Sequence, residues 1–140
     1  MPGEVALISG YAPSLHLFRG NLIRELAARG SDVRAYAPEP DPPSALSDLP
    51  LTYESWPAQR GSINPIADAR ALTYLTRSLR RHRSVAVLSY TIKPVIYGSL
   101  AAKAAGVPKR FAMITGLGYA FGREGGLRQK AVSRVVPAMY

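Results

Sequence analysis

The sequence predicts an α/β fold in which a parallel β-sheet is covered by helices on both faces. Short apolar segments alternate with segments whose apolar residues recur at steps of three and four positions, as in amphipathic helices. The clearest unit is a strand, a helix and a second strand between residues 85 and 115, and such crossovers join parallel strands. At 140 residues the chain has the length of one ordinary domain. The predicted architecture is therefore a single Rossmann-like domain over residues 1–140.

The first part of the chain predicts two strands around one helix. Residues 4–9 form the first strand, and Ser14 is a candidate N-cap for a helix that runs to Arg29 and ends at Gly30. Residues 32–37 alternate as a second strand does. The stripe of the helix that we expect to be buried consists of Leu15, Phe18, Leu22, Ile23 and Leu26.

A proline-rich stretch separates this part from the next helix. Five prolines between Pro38 and Pro50 predict an irregular excursion, after which residues 51–56 resume as a strand. Asn64 and Pro65 then open a helix, with Asp68 near the positive end of its dipole. Its expected buried stripe is Ile66, Leu72, Leu75 and Leu79, and its basic C-terminal end carries Arg77, Arg80, Arg81 and Arg83.

The strand–helix–strand unit carries its own boundary signals. Residues 85–90 and 110–115 are apolar runs typical of buried parallel strands. Pro94 suits the first turn of the helix between them, and Gly106 followed by Pro108 supplies a left-handed cap and then a block.

Composition and charge restrict the possible functions. The absence of cysteine excludes disulfides, thiolate nucleophiles and sulfur-ligated zinc sites, and is compatible with a reducing cytoplasm. No apolar run is long enough to span a membrane and no signal peptide opens the chain, so we expect an intracellular protein. Residues 1–68 hold five Arg and eight acidic residues, whereas residues 69–140 hold 13 Lys or Arg and only Glu124. The second part is suited to phosphates, an anionic membrane or nucleic acid, or is a solubilising surface.

The candidate binding residues follow the carboxyl ends of the predicted strands, where ligands bind in open α/β sheets. Lys93 precedes a helix-opening proline, so its ammonium and the free N–H groups of that helix predict an anion pocket; the alternative is a solvated loop lysine. Tyr90 and Thr91 offer hydroxyls for sugar or phosphate oxygens. The full set of expected contact residues is Gly10, Tyr11, His16, Arg19, Tyr90, Thr91, Lys93, Thr115, Gly116, Gly118 and Tyr119.

Cofactor and metal motifs are missing from the sequence. The glycines at 116, 118 and 122 miss the G-x-G-x-x-G spacing by one residue, no acidic residue follows for a ribose, and no P-loop is present. We interpret them as a loop at the mouth of a site or as a flexible connector. The two histidines, His16 and His82, have no metal-ligand spacing to nearby carboxylates and form no Ser-His-Asp pattern. We therefore expect no metal and no bound cofactor.

The last segment, residues 127–140, predicts a basic amphipathic helix. One half of its wheel holds Leu127, Ala131, Val132, Val135, Val136 and Met139, and Arg128 interrupts that half. This pattern is typical of a helix that lies in a membrane interface beside anionic head groups. The alternative is a helix that packs on the sheet or on a further domain. The candidate contacts to lipid phosphates are Arg123, Arg128, Lys130 and Arg134.

Five segments together resemble the N-terminal domain of family 4 glycosyltransferases with the GT-B fold. The chain is most similar to bacterial N-acetylgalactosaminyltransferases that extend sugars on undecaprenyl diphosphate. The pairing of Tyr90-Thr-Ile-Lys-Pro94 with Ile114-Thr-Gly-Leu-Gly-Tyr119 is its most specific part. The resemblance rests on residues 18–26, 35–39, 90–94, 97–103 and 114–121, in the order of the family.

The resemblance implies an enzyme half that binds the acceptor. A second Rossmann-like domain, absent from these 140 residues, would bind the nucleotide sugar, a UDP-sugar, and would carry the paired glutamates that grip it. Some relatives have a histidine after the fifth strand on the catalytic side; the matching residue here is Thr115, so no catalytic residue is assigned.

The expected activity is hexosyl or N-acetylhexosaminyl transfer to a lipid-linked saccharide in cell-surface polysaccharide or glycan synthesis. The expected place is the cytoplasmic face of the cell membrane, held peripherally. One alternative is a non-catalytic membrane-recruiting subunit of a split glycosyltransferase, which the length of the native reading frame would distinguish. A nucleic-acid binder is a third and weaker reading, because the basic second part carries no recognisable nucleic-acid motif.

Overall fold

The computed structural model describes residues 3–58 and 64–114, and they form a five-stranded parallel sheet with the strand order β3-β2-β1-β4-β5. All four neighbouring pairs are parallel, for example with Leu7 opposite Ala35 on one side and Leu88 on the other. The strand order reverses next to β1, as in the predicted Rossmann-like class. The strands are β1 (Glu4–Ile8), β2 (Asp32–Ala37), β3 (Thr52–Ser55), β4 (Ala86–Tyr90) and β5 (Lys109–Met113).

Helices lie on both faces of the sheet, which confirms the predicted class. They are α1 (Pro13–Ala28), α2 (Pro65–Arg81) and α3 (Ile92–Ala105). One core lies on the α1 face, where Leu15 and Ile23 pack with Leu7 and Ala35. The other core lies on the α2/α3 face and includes Ile8, Tyr36, Trp56, Leu75 and Ala101. Because a buried core lies on each side of the sheet, the sequences of the central strands are nearly continuous apolar runs.

The helix boundaries follow the predicted capping residues at three positions. The Asn64 side chain accepts hydrogen bonds from the backbone N–H groups of Ile66 (3.1 Å) and Ala67 (3.3 Å), and thus caps α2. Gly106 ends α3 with φ of +75°, and Gly30 follows α1 with φ of +90°. Both glycines adopt the left-handed region that other residues enter at a cost.

The start of α1 differs from the prediction. The helix begins at Pro13, and Ser14 lies inside its first turn instead of capping it. The backbone N–H of Ala12 donates to the carboxylate of Glu39 (2.9 Å), so a side chain distant in sequence satisfies this end of the helix. A tertiary cap of this kind leaves no local signal, and the Ser14 hydroxyl takes part in contacts of the neighbouring loop instead.

Fewer apolar residues of the helices and of the fifth strand are buried than the sequence predicted. Phe18 on α1 and Ile66 in the first turn of α2 are both 71% exposed, and Leu22 is also exposed. Only one side of each helix reaches the sheet, so residues at the margins of the predicted stripes stay accessible. The fifth strand, predicted to be buried, is exposed at Phe111 (56%) because β5 lies at the edge of the described sheet.

The proline-rich excursion is not wholly irregular. It contains a short 3₁₀ helix at Ser44–Asp48, and Leu46 and Leu49 anchor it to the α1 face. Short 3₁₀ turns tolerate sequences that neither α-helices nor strands accept.

A polar network fastens the edge strand β3 to α2. The carboxylate of Glu54 accepts hydrogen bonds from Tyr74 and Ser78 on α2 and from Arg34 on β2 (3.1 Å). Arg34 also donates to Glu4 on β1 (3.0 Å). This network satisfies the partly buried charges that occupy positions facing α2.

Candidate functional site

Two loops meet at the carboxyl edge of the sheet, beside the point where the strand order reverses. One follows β1 and contains Ser9, Gly10 and Tyr11; the other begins at Thr91, directly after Tyr90, the last residue of β4. A Cβ added to Gly10 would lie 3.4 Å from Thr91 Oγ1 and 3.4 Å from Pro94 Cγ, so the loops are in close contact. We call this group of residues, together with Arg19, the crevice. The prediction that the ends of β1 and β4 converge is confirmed.

Tyr90 anchors the crevice through its hydroxyl. The phenol oxygen lies 2.9 Å from Ser14 Oγ, which in turn lies 3.1 Å from Ser9 Oγ and donates to the backbone oxygen of Tyr11 (2.6 Å). Burial raises the pKa of Tyr90, and the hydrogen bonds to Ser14 and Ser9 and the charge of Arg19 oppose that rise. Tyr90 therefore stays a neutral phenol, fixed in place by hydroxyl groups of α1 and its loop.

Arg19 covers the ring of Tyr90. Its guanidinium carbon lies 4.5 Å from the ring centroid, a cation–π geometry. One terminal nitrogen donates to the sulfur of Met113 (3.0 Å) at the end of β5, and the other donates to the backbone oxygen of Phe18 (3.1 Å). Its Nε is buried and has no hydrogen-bond partner among the described residues. A guanidinium so placed, with a thioether and a carbonyl as partners and no carboxylate in either of these bonds, retains its capacity to bind an anion.

Thr91 holds the second loop in an unusual conformation. Its φ of 67° and ψ of 164° lie in a region that is populated almost only by glycine. Thr91 precedes α3, whose first turn contains no acidic residue and receives no side-chain cap. The start of α3 therefore lies at the same edge of the sheet as the crevice.

Lys93 lies on the other side of the sheet from Arg19. Its ammonium pairs with the buried Asp68 on α2 (3.0 Å) and stands over the ring of Tyr97 (5.9 Å). Burial, the hydrogen bond to Asp68 and the charge of Asp68 raise the pKa of Tyr97 to about 12. The ammonium is thus a link between α2 and α3, which fits neither the predicted anion pocket nor a solvated loop lysine.

The remaining predicted contacts divide into two groups. His16 is exposed on the first turns of α1, and Tyr11 is exposed in the β1 loop. The others, from the glycine loop and the basic segment, lie outside the described residues: Thr115, Gly116, Gly118, Tyr119, Arg123, Arg128, Lys130 and Arg134. The predicted helix at 127–140 also lies there. Among residues 3–58 and 64–114, no helix has the length and hydropathy needed to cross a membrane.

Sequence reasoning missed three residues that shape the crevice. Ser9 and Ser14 position Tyr90, and Glu39 caps α1 through the backbone N–H of Ala12. Glu39 lies two residues after the end of β2, so the rule that singled out Tyr90 at the end of β4 would also have found it. In the part of the chain that the structure describes, no three His, Cys, Asp or Glu side chains group as metal ligands would. The crevice therefore offers hydroxyls and one guanidinium, which suit sugar and phosphate oxygens.

Comparison with known proteins gives one relative and several related folds. An N,N'-diacetylbacillosaminyl-diphospho-undecaprenol alpha-1,3-N-acetylgalactosaminyltransferase of Campylobacter jejuni is 29% identical over 137 residues, which are 98% of this chain and 36% of that protein. The chain thus spans about a third of the length of this relative.

Solved structures agree on the fold. MurG of Acinetobacter baumannii matches 96% of this chain and 39% of its own, with a TM-score of 0.64 and 18% identity. A UDP-GlcNAc 2-epimerase of Neisseria meningitidis, solved with UDP-GlcNAc, matches 97% of this chain and 38% of its own, with a TM-score of 0.65 and 18% identity. At these identities the likeness establishes the fold alone.

The family comparison is more specific than the fold. The family described as "Glycosyl transferase 4-like domain" matches residues 18–140. This range includes Arg19, Tyr90 and Thr91 of the crevice and all of the sheet except β1. Because the match extends over nearly the whole chain, the protein belongs to the family of glycosyl transferase 4-like domains, as its resemblance implied.

Proposed function

We propose that this chain is the acceptor-binding half of a glycosyltransferase that transfers a hexosyl or N-acetylhexosaminyl group from a nucleotide sugar to a lipid-linked saccharide. The observation that carries the proposal is the likeness over 98% of the chain to a transferase whose name specifies a diphospho-undecaprenol acceptor. The product would serve cell-surface polysaccharide or glycan synthesis.

The crevice supports the acceptor role. Arg19 would bind an acceptor phosphate, because its guanidinium stacks on Tyr90 at the end of β4 and, among the described residues, its hydrogen bonds go to a carbonyl and a thioether and not to a carboxylate. Tyr11 and Thr91 would orient sugar hydroxyls through their own hydroxyl groups. Because Asp68 already neutralises Lys93, we assign Lys93 to the packing of α2 and α3 and not to the ligand.

The chemistry divides between two halves. A separate domain would bind the nucleotide sugar, a UDP-sugar, and would stabilise its diphosphate leaving group without a metal or a bound cofactor. The present half would hold the attacking hydroxyl in line, which lowers the barrier by fixing orientation. From the glycine loop, Thr115, Gly116, Gly118 and Tyr119 complete the proposed acceptor contacts.

The proposal also gives the protein a location at the membrane. A lipid-linked acceptor is presented at a bilayer, so the enzyme would act as a peripheral protein at the inner face of the cell membrane, on the cytoplasmic side. Arg123, Arg128, Lys130 and Arg134 would contact lipid phosphates there.

A transfer assay with protein made from the complete reading frame tests the proposal. A radiolabelled nucleotide sugar is supplied with undecaprenyl-diphosphate-linked saccharides, and the Arg19→Gln variant is compared with the parent protein. Loss of a charge-assisted contact is worth roughly 1.5–3 kcal/mol, so the KM for the acceptor should rise by about tenfold or more. The KM for the nucleotide sugar should not change, because the other half binds it.

Arg24→Gln is the matched control, since Arg24 lies on the same helix and is exposed. It should leave both KM values within about twofold of the parent. Transfer that is absent with all nucleotide sugars, while lipid-linked acceptors still bind, would favour the non-catalytic recruiting subunit. An equal rise in KM for Arg19→Gln and Arg24→Gln would remove the crevice from the proposal.

A further inference from the structure

A basic groove lies between α2 and the edge strand β3, on the face of the sheet opposite α1. It measures about 780 Å³ and runs along the outward side of α2, with Glu54 of β3 and Pro57 also in its lining. Three exposed arginines of α2 line the groove: Arg70, Arg77 and Arg81. We call these three residues the arginine row.

The arginine row follows from the geometry of the helix. At about 100° and 1.5 Å per residue, the three positions lie within about 40° of one another around the axis, at intervals of about 10 Å and 6 Å along it. The helix dipole favours cations near the C-terminal end, which accounts for Arg81 in the last turn. Arg70 is the sixth residue of α2, in the half of the helix where the dipole gives a cation no support.

No carboxylate neutralises the arginine row in the part of the chain that the structure describes. Asp68 is the one acidic residue within α2, and it is buried and paired with Lys93. Glu54 in the lining of the groove is already bound by Arg34 of β2 and by two hydroxyl groups of α2. The row therefore keeps its capacity for charge-assisted hydrogen bonds to an anionic partner.

The shape of the groove favours a peptide among the possible anionic partners. The arginine row extends for about 16 Å, which is the length of about five residues of an extended chain. A single phosphate group is too short to reach all three arginines, and a flat bilayer cannot fill a concave groove. The end nearest the start of α2 is lined by Pro57, Pro65 and the 71% exposed Ile66, which suit an apolar side chain of a peptide.

We propose that this groove binds an extended acidic segment of another protein. Alternate side chains of such a segment lie on one side, about 7 Å apart, within reach of the long arginine side chains. Arginine suits this role because its planar fork donates two parallel hydrogen bonds to one carboxylate, and clusters of arginine recognise acidic motifs. The groove shares no residue with the crevice, so the partner would be bound independently of sugar transfer.

Peptide binding to protein made from the complete reading frame tests the proposal. The probe is a fluorescein-labelled ten-residue peptide that alternates Glu and Ser, and its Kd is measured by fluorescence anisotropy at about 0.15 M salt. The groove variant combines Arg70→Gln, Arg77→Gln and Arg81→Gln. Its Kd for the peptide should be at least tenfold higher than that of the parent protein, because the charge-assisted bonds are lost.

The matched control removes the same amount of charge from other surfaces. It combines Arg24→Gln, Lys103→Gln and Lys109→Gln, three exposed cations on α1, α3 and β5. Its Kd for the peptide should stay within about twofold of the parent value. Because all the substituted side chains in both variants are exposed, both should keep the thermal midpoint of the parent.

Charge reversal provides a second measurement, in which binding is gained instead of lost. The variant that combines Arg70→Glu, Arg77→Glu and Arg81→Glu should bind a peptide that alternates Lys and Ser at least tenfold more tightly than the parent does. A variant that had merely lost its structure would show no such gain.

Three results would overturn the proposal. Equal rises in Kd for the groove variant and the matched control would show that the peptide responds to net charge alone. Failure of the parent to bind the peptide, together with binding to phosphatidylglycerol vesicles that the groove variant loses, would assign the arginine row to a membrane. The same pattern with duplex DNA would assign it to nucleic acid. None of these measurements involves sugar transfer, so their failure is distinct from failure of the proposed function.

Discussion

Thr91 stores backbone strain at the centre of the crevice. Among the described residues only Thr91 and Arg83 combine a side chain with positive φ, at 67° and 52°. Strain of this kind costs about 1–3 kcal/mol and concentrates at functional sites. The two residues differ in place, because Arg83 follows α2 near the opposite edge of the sheet, while Thr91 contacts Gly10.

Replacing Thr91 by glycine should separate strain from function. We expect Thr91→Gly to stabilise the fold by about 1 kcal/mol, because relief of strain exceeds the added entropy of the unfolded chain. Urea denaturation measures this as a higher midpoint with an unchanged slope. Arg83→Gly should stabilise similarly without affecting the acceptor, whereas Thr91→Gly should raise the acceptor KM. A net destabilisation by Thr91→Gly would contradict strain at this position.

At the scale of the elements, Gly98 allows α3 to approach the sheet. A Cβ at this position would overlap Ser89 Oγ and lie 3.0 Å from Ile8 Cδ1. Ser89 is fully buried on β4, and its hydroxyl has no partner among the described residues. The helix and the strand are therefore fitted to each other with no room for a methyl group.

Gly98→Ala should destabilise the protein by about 1–3 kcal/mol through overpacking. Ser89→Ala should recover part of that loss in the double variant, because the overlapping oxygen is removed. Gly20→Ala is the control, since its Cβ would meet only Arg24 and Leu49 at 3.4 and 3.7 Å. That substitution in α1 should be neutral or stabilising by up to about 1 kcal/mol. Equal effects of the two alanines in thermal denaturation would refute the close fit of α3.

Glu54 joins three elements, so its loss should weaken the edge of the sheet. Glu54→Ala leaves Arg34, Tyr74 and Ser78 without a shared acceptor, and we expect a cost of roughly 1–3 kcal/mol. Glu25→Ala breaks a pair with Arg29 in which both side chains are mostly exposed, and it should cost at most about 0.5 kcal/mol. Chemical denaturation of both variants measures the difference; a cost for Glu54→Ala as small as that of Glu25→Ala would show that the network contributes little.

Across the whole molecule, half-buried phenols make the stability sensitive to alkali. Burial is the largest cause that raises the pKa of Tyr53, Tyr74 and Tyr97 to about 12, with additional contributions from nearby carboxylates. Their ordinary value is 10.0, so the unfolded chain loses these protons first as the pH rises. Stability is therefore fully present below pH 10 and is lost progressively between about pH 10 and 12.

Urea denaturation at a series of alkaline pH values checks this expectation. The free energy of unfolding should fall as the pH rises above about 10. Tyr97→Phe should make the fall shallower, because one fewer proton separates the folded from the unfolded state. A constant free energy of unfolding over this range would contradict the raised pKa values.

The sequence predicted the strands and helices well because their signals are local. Asn64 caps α2 and Gly106 ends α3 as expected, since a cap depends on residues within a few positions. The prediction that Ser14 caps α1 was wrong, because the carboxylate of Glu39, 27 residues from Ala12 in the sequence, accepts the hydrogen bond at this end of the helix. The predicted burial of the fifth strand was also wrong, because the burial of an edge strand depends on which other segments cover it.

The candidate site was only partly predictable for the same reason. The parallel order implied that Gly10 and Tyr90 lie at one edge, and the structure confirms it. Whether a cation there stays available for a ligand depends on its partners. Arg19 stacks on Tyr90, while Lys93, equally suited by its position in the sequence, is neutralised by Asp68.

By itself the sequence determined the alternation of strands and helices, the strand ends that carry polar residues and the resemblance to family 4 glycosyltransferases, all of which depend on local pattern. Only the tertiary structure decided that Lys93 pairs with Asp68, that Thr91 is strained and that Phe111 is exposed at the edge of the described sheet. Hydrophobic periodicity fixes the face of an element, but the pairing of charges and the covering of surfaces depend on contacts between residues far apart in the chain.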